Sequence, residues 1–116
     1  MRTRRLGPFE VGSIGLGCMS LSHAYGIPPS PEDAAAVLRR AVDLGVTHVD
    51  TAALYGFGAN ERLVGQVLSA ERDRIVLASK CGMLGVDGTR VIDGRPEVLI
   101  RTHWPGCGPT SSTSTT

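Results

Sequence analysis

The chain has 116 residues, 41% of them hydrophobic and 20% charged, with a formal net charge of +1, a profile that fits one soluble globular unit. So even a balance lacks the basic excess that nucleic acid or an anionic membrane attracts, and the longest apolar runs, such as Ile75 to Ala78, fall far short of the ~20 residues a membrane span needs. The basic start Met1-Arg2-Thr3-Arg4-Arg5 is not followed by a signal-peptide core, and Cys18, Cys81 and Cys107 form no close pair, so a cytoplasmic protein with reduced thiols and no metal is expected. A zinc site from Cys81, His103 and Cys107 is a minor alternative.

Arg4 to Val11, broken by Gly7-Pro8, predicts two short strands around a turn. Ser13 to Cys18 predicts a glycine-rich strand, and the polar, proline-bearing run Met19 to Pro29 a loop. Ser30 as N-cap, Pro31 in the first turn, and Glu32 and Asp33 against the positive end of the dipole start a helix that Gly45 stops. Ala34, Val37, Leu38, Ala41 and Val42 recur at three- and four-residue steps and give it one apolar stripe. Val46 to Val49 is then a strand that delivers Asp50 at its carboxyl end. Asn60 is the expected cap of a second helix, Glu61 to about Ser69, with Leu63, Val64, Val67 and Leu68 inward. Ile75 to Ala78 has the continuous apolar character of a parallel strand covered on both faces. The order strand, helix, strand, helix, strand makes two βαβ units. Cys81 to Pro96, rich in Gly and Asp, reads as a loop, and Glu97 to Arg101 as the start of a helix.

Chemistry concentrates where these strands end. Asp50 and Tyr55 stand five positions apart at a strand-to-loop junction, and Lys80 follows at the end of the next apolar run. A phenol beside an ammonium, itself anchored by a carboxylate, can act as a proton donor, because the cation favours the phenolate left behind. That is carbonyl reduction chemistry. Taken singly, each residue has a plainer reading: Tyr55 as a packing ring, Asp50-Thr51 as a turn, Lys80 as a solvated strand end.

The run Asp50-Thr51-Ala52-x-x-Tyr55-Gly56-x-Gly58-x-Asn60-Glu61 resembles the signature of the aldo-keto reductases, nicotinamide-dependent oxidoreductases built on a (β/α)8 barrel. Gly15 to Met19, Leu44 to Val49 and Ala78-Ser79-Lys80 resemble the flanking segments of that family, and the likeness runs from about Arg4 to Ile100. It implies an α/β fold, a partial (β/α)8 TIM barrel with about its first three β strands, two helices and an amino-terminal hairpin. It also implies NADP(H)-dependent reduction of a small aldehyde or ketone to an alcohol, with Tyr55 as general acid, Lys80 acting on it by charge and Asp50 holding Lys80. Gly17, Cys18 and Met19 match the segment that approaches the nicotinamide ribose, and Asp50 belongs with them. No nucleic acid, membrane or metal is implied, and the oligomeric state is left open. Asn60 and Glu61 are expected to hold the loop bearing Tyr55 rather than to react.

The near-fingerprint Gly15-x-Gly17-x-x-Ser20 fails as a dinucleotide-binding motif, since Pro28-Pro29 delay the helix that should open at the glycines. No residue matches the family's histidine on the fourth strand. His103 follows Lys80 too closely for an intervening helix, and His23 and His48 read as packing residues. A whole barrel needs about 250 residues, so residues 1–101 are expected to be its amino-terminal part. Residues 102–116 form a Ser/Thr-rich, low-complexity segment. Its abrupt composition suggests a lost reading frame, because codons for an Asp/Val run give Ser and Thr in another frame; a native disordered tail is the alternative. A truncated, inactive remnant is therefore the competing functional expectation.

Overall fold

In the computed structural model, which describes residues 1–22, 26–102 and 114–115, strands Thr3–Leu6 (β1) and Phe9–Gly12 (β2) pair antiparallel, from Thr3 opposite Gly12 to Leu6 opposite Phe9. Gly7, at φ +58, makes the turn. The Gly12 amide donates to Thr47 Oγ1 at 2.7 Å, which ties this hairpin to the entry of the second barrel strand, at the end remote from Asp50.

The central sheet is parallel. Leu16–Gly17 (β3) lies beside His48–Asp50 (β4), and β4 beside Val76–Ser79 (β5), with Gly17 opposite Asp50 and Asp50 opposite Ala78. Helix Pro31–Asp43 (α1) links β3 to β4, and helix Ala59–Val67 (α2) links β4 to β5. This is the α/β succession that opens a (β/α)8 barrel. The first barrel strand is shorter than Ser13 to Cys18, because the Ser13 amide donates to the Arg2 carbonyl at 2.9 Å and so joins the hairpin's neighbourhood. Gly15 passes so close to His48 that a Cβ there would stand 2.9 Å from Nδ1 of the ring.

Helix α1 starts as its sequence predicts: Ser30 Oγ accepts from the Asp33 amide at 3.1 Å, and Gly45 at φ +90 follows the last turn. Its inward row is Ala34, Ala35, Leu38 and Val42, whereas Val37 is 47% exposed, so the buried stripe takes Ala35 in place of Val37. Leu38 and Val42 meet Val64 and Leu68 from the second helical segment and Cys18, Val49, Ile75 and Leu77 from the sheet. Each such aliphatic side chain removed from water contributes roughly 1.5–3 kcal/mol.

Cys81 to Pro96 differs from its expected loop. Met83–Val86 (β6) and Thr89–Ile92 (β7) form an antiparallel hairpin, from Met83 opposite Ile92 to Val86 opposite Thr89. Asp87 at φ +48 and Gly88 at φ +75 turn it. Two left-handed residues match the twist of the flanking strands, and an Asp-Gly pair between β-formers signals this turn. Pro96–Thr102 (α3) follows as the expected helix, with Val98 buried. Within 102–116, Thr102 ends α3, and Ser114–Thr115 (β8) pairs parallel with β5, Ala78 opposite Ser114. The rest of that segment, with His103 and Cys107, lies outside the described residues, as does His23. Among the described residues no helix is long and apolar enough to cross a membrane.

Candidate functional site

Three of the side chains singled out in the sequence, Asp50, Tyr55 and Lys80, meet at one rim of the sheet. Asp50 ends β4, and Lys80 directly follows β5. The Thr51 amide donates to the Ala78 carbonyl (2.9 Å) and the Ala53 amide to the Lys80 carbonyl (3.0 Å), which keeps the two segments together past the strands. Lys80 Nζ donates to the Asp50 carboxylate, to the Thr51 carbonyl at 3.0 Å and to the Tyr55 hydroxyl at 3.3 Å. These use the three donors of an ammonium. The same nitrogen lies 5.1 Å from the centre of the Tyr55 ring, within cation–π range.

Burial works against the charge on Lys80, but the hydrogen bonds to Asp50 and Tyr55 and the attraction of both groups outweigh it, so its ammonium is held above the ordinary lysine range. The Lys80 and Asp50 side chains are 45% and 36% exposed, because they stand on an open rim.

Gly17 is the neighbour of Asp50 across the ladder, is exposed, and has nothing within 4 Å of where a Cβ would stand. Met19 is partly exposed beside it. Cys18 points the other way, into the core; burial, then the charge of Asp50, push its thiol up to about 12, with Lys80 acting in opposition.

Tyr55 begins a tight turn, Tyr55–Gly58, in which Gly56 (φ +57), Phe57 (φ +51) and Gly58 (φ +89) are left-handed. An aromatic residue in that region is strained. The Phe57 ring lies against Gly85 of β6, where a Cβ would come within 2.0 Å of it, so the β6–β7 hairpin packs on the loop that bears Tyr55.

Asn60 is not the helix cap that its sequence context suggests. Gly58 holds the N-cap position, and Asn60 lies within α2, fully buried. Its Oδ1 accepts from Thr51 Oγ1 at 2.6 Å, and its Nδ2 donates to the Cys18 carbonyl at 2.7 Å and to Ser22 Oγ at 2.5 Å. Glu61 Oε1 accepts from Ser79 Oγ at 2.5 Å. Thr51, Ser22 and Ser79 were not singled out by sequence reasoning. Their signal was slight: Thr51 lies within the Asp50-to-Glu61 motif and Ser79 immediately precedes Lys80. His48 packs in β4 against Gly15, its Nε2 buried without a hydrogen-bond partner among the described residues. No cluster of His, Cys, Asp and Glu suited to a metal occurs among the described residues.

With this geometry in view, comparison with known proteins is specific. The model of the aldo/keto reductase family matches residues 13–102. The aldo-keto reductase yakc [NADP(+)] of Schizosaccharomyces pombe is 46% identical over 82 residues, covering 69% of this chain and 24% of that protein. A solved aldo-keto reductase from Bacillus halodurans, in its holo form, superposes with a TM-score of 0.70 at 34% identity, over 80% of this chain and 30% of the other. One from Klebsiella pneumoniae, in complex with NADPH, gives 0.54 at 40% identity, over 62% and 24%. The chain spans about a quarter of the length of the curated relatives it matches.

Proposed function

The chain belongs to the aldo/keto reductase family, and from that premise we propose that it carries the proton-donating half of an NADP(H)-dependent carbonyl reductase, with Tyr55 as general acid. The observation that carries this reading is the convergence of Asp50, Tyr55 and Lys80 on one ammonium at the strand ends.

In this mechanism Tyr55 gives its hydroxyl proton to the oxygen of an aldehyde or ketone, and Lys80 stabilises the phenolate that remains. Lys80 donates to the Tyr55 oxygen, which places its positive charge where the phenolate would form. Asp50 keeps the ammonium charged and aimed. Gly17 and Met19 with Asp50 suit the nicotinamide end of the cofactor, since the open backbone at Gly17 permits close approach next to the carboxylate, while Cys18 contributes main chain alone. When bound, the reduced nicotinamide supplies the hydride to the carbonyl carbon. Run backwards, the same residues oxidise an alcohol. The phosphorylated cofactor is favoured by the names of the fission-yeast relative and of the Klebsiella complex. Residues 1–101 are the barrel part in this reading, and the free thiols Cys18 and Cys81 suit a cytoplasmic setting.

The test is NADPH consumption with a generic aldehyde by the purified protein and its Tyr55→Phe variant. Loss of ~2 to 4 orders of magnitude with unchanged folding is the expected result. Near wild-type turnover by the phenylalanine variant would end the assignment, since a merely structural hydroxyl contributes about one net hydrogen bond. A chain without this activity is the competing reading, and it predicts no NADPH consumption by either protein.

A further inference from the structure

Resting on that reading, we propose that Asn60 is a positioning residue: with Thr51 it clamps the ends of the loop carrying Tyr55 and so sets the phenol against Lys80. The loop cannot set itself. Gly56, Phe57 and Gly58 are all left-handed, a backbone path that an aromatic residue at its centre does not favour, and Phe57 remains 57% exposed despite its contact with Gly85.

What closes the loop is the bond between Thr51 Oγ1 and Asn60 Oδ1, which joins the residues on either side of segment 52–59. The amide of Asn60 makes three hydrogen bonds: its oxygen takes Thr51, and its nitrogen reaches across to the Cys18 carbonyl and Ser22 Oγ. Next to it Glu61 holds Ser79, the residue before Lys80. The first turn of α2 thus grips the chain after β3, after β4 and at the end of β5, the three places from which Gly17 and Met19, Asp50 and Lys80 emerge. Since Asn60 is wholly buried, a lost partner leaves a polar atom without water to replace it, so the clamp is strongly specified. One amide therefore bonds both to the loop of the proposed proton donor and to the chain after β3.

Thr51→Val removes the hydroxyl while keeping the shape, and Thr51→Ser restores it. In Thr51→Val, backbone hydrogen exchange at Ala53, Tyr55 and Phe57, whose amides bond to Lys80, Ala52 and Leu54 carbonyls, is expected to rise by about 10-fold or more, with Leu44 and Leu68 unchanged. Thr51→Ser should return the protection. In the NADPH assay Thr51→Val should lower kcat by about 10- to 100-fold with the cofactor KM little altered, as misplacement of a catalytic group does. Unchanged exchange in the loop, or an equal rise at Leu44 and Leu68, overturns the clamp. Exchange confined to the loop in a protein whose Tyr55→Phe variant keeps full turnover upholds the clamp and overturns the functional reading alone.

Discussion

Below the strand ends Cys18, Leu38, Val42, Val49, Val64, Leu68, Ile75 and Leu77 form a continuous apolar cluster, whereas at those ends Asp50, Lys80 and Tyr55 are joined by hydrogen bonds on a rim open to solvent. The two regions share β3, β4 and β5 but differ in what holds them. The core gains from area removed from water. An ion pair whose side chains are 36% and 45% exposed adds at most about 1 kcal/mol, because water and salt screen it. Stability should therefore reside in the core and reactivity on the rim, with Thr51, Asn60, Glu61 and Ser79 as the buried polar layer between them.

Lys80→Met should separate the regions most widely: carbonyl reduction is expected to fall by ~2 to 4 orders of magnitude, as for Tyr55→Phe. Unfolding free energy should change by less than ~1 kcal/mol. Steady-state kinetics beside a urea titration measures both, and a large loss of stability would break the division. Leu38→Ala is the reverse case. It should cost ~2–5 kcal/mol in the same titration while leaving turnover per folded molecule intact.

Alkaline pH probes Cys18, a core thiol that feels the rim's charges. The Cys18 thiol is raised from 9.0 to about 12, so its folded state resists ionisation that the unfolded chain allows. Its contribution is complete below pH 9.0 and is lost as pH rises from there through about 12. Lys80, also raised, loses its contribution in the same direction, above 10.5. The denaturation midpoint should thus fall above pH 9.0, and Cys18→Ala should flatten that fall. An unchanged slope in the variant would show that the thiol is not held neutral by the fold. The smallest effect belongs to Ser30→Ala, about 1 kcal/mol through the lost bond to the Asp33 amide, with no effect on turnover.

Legibility in the sequence followed locality. Helix α1 was readable to within a residue or two because its signals, Ser30, Pro31 and Gly45, act on their own backbone. The β6–β7 hairpin was equally readable from Asp87-Gly88, yet the glycines around that pair drew the reading toward a loop. Val37 satisfied the helical period and still faced outward, because period alone does not say which edge of a stripe the sheet covers.

By itself the sequence determined the βαβ order, the family, and the three residue types proposed as a proton donor, since propensity, capping and motif spacing are properties of neighbouring positions. Only the tertiary structure decided that Lys80 divides its donors among Asp50, Thr51 and Tyr55, that the pair is open to solvent, that Cys18 turns inward, and that Asn60 bonds across the fold instead of capping its helix. Asn60 lies 42 positions from Cys18, and Lys80 30 from Asp50. Contacts at such separations depend on how helices and strands stack, and no local preference encodes them.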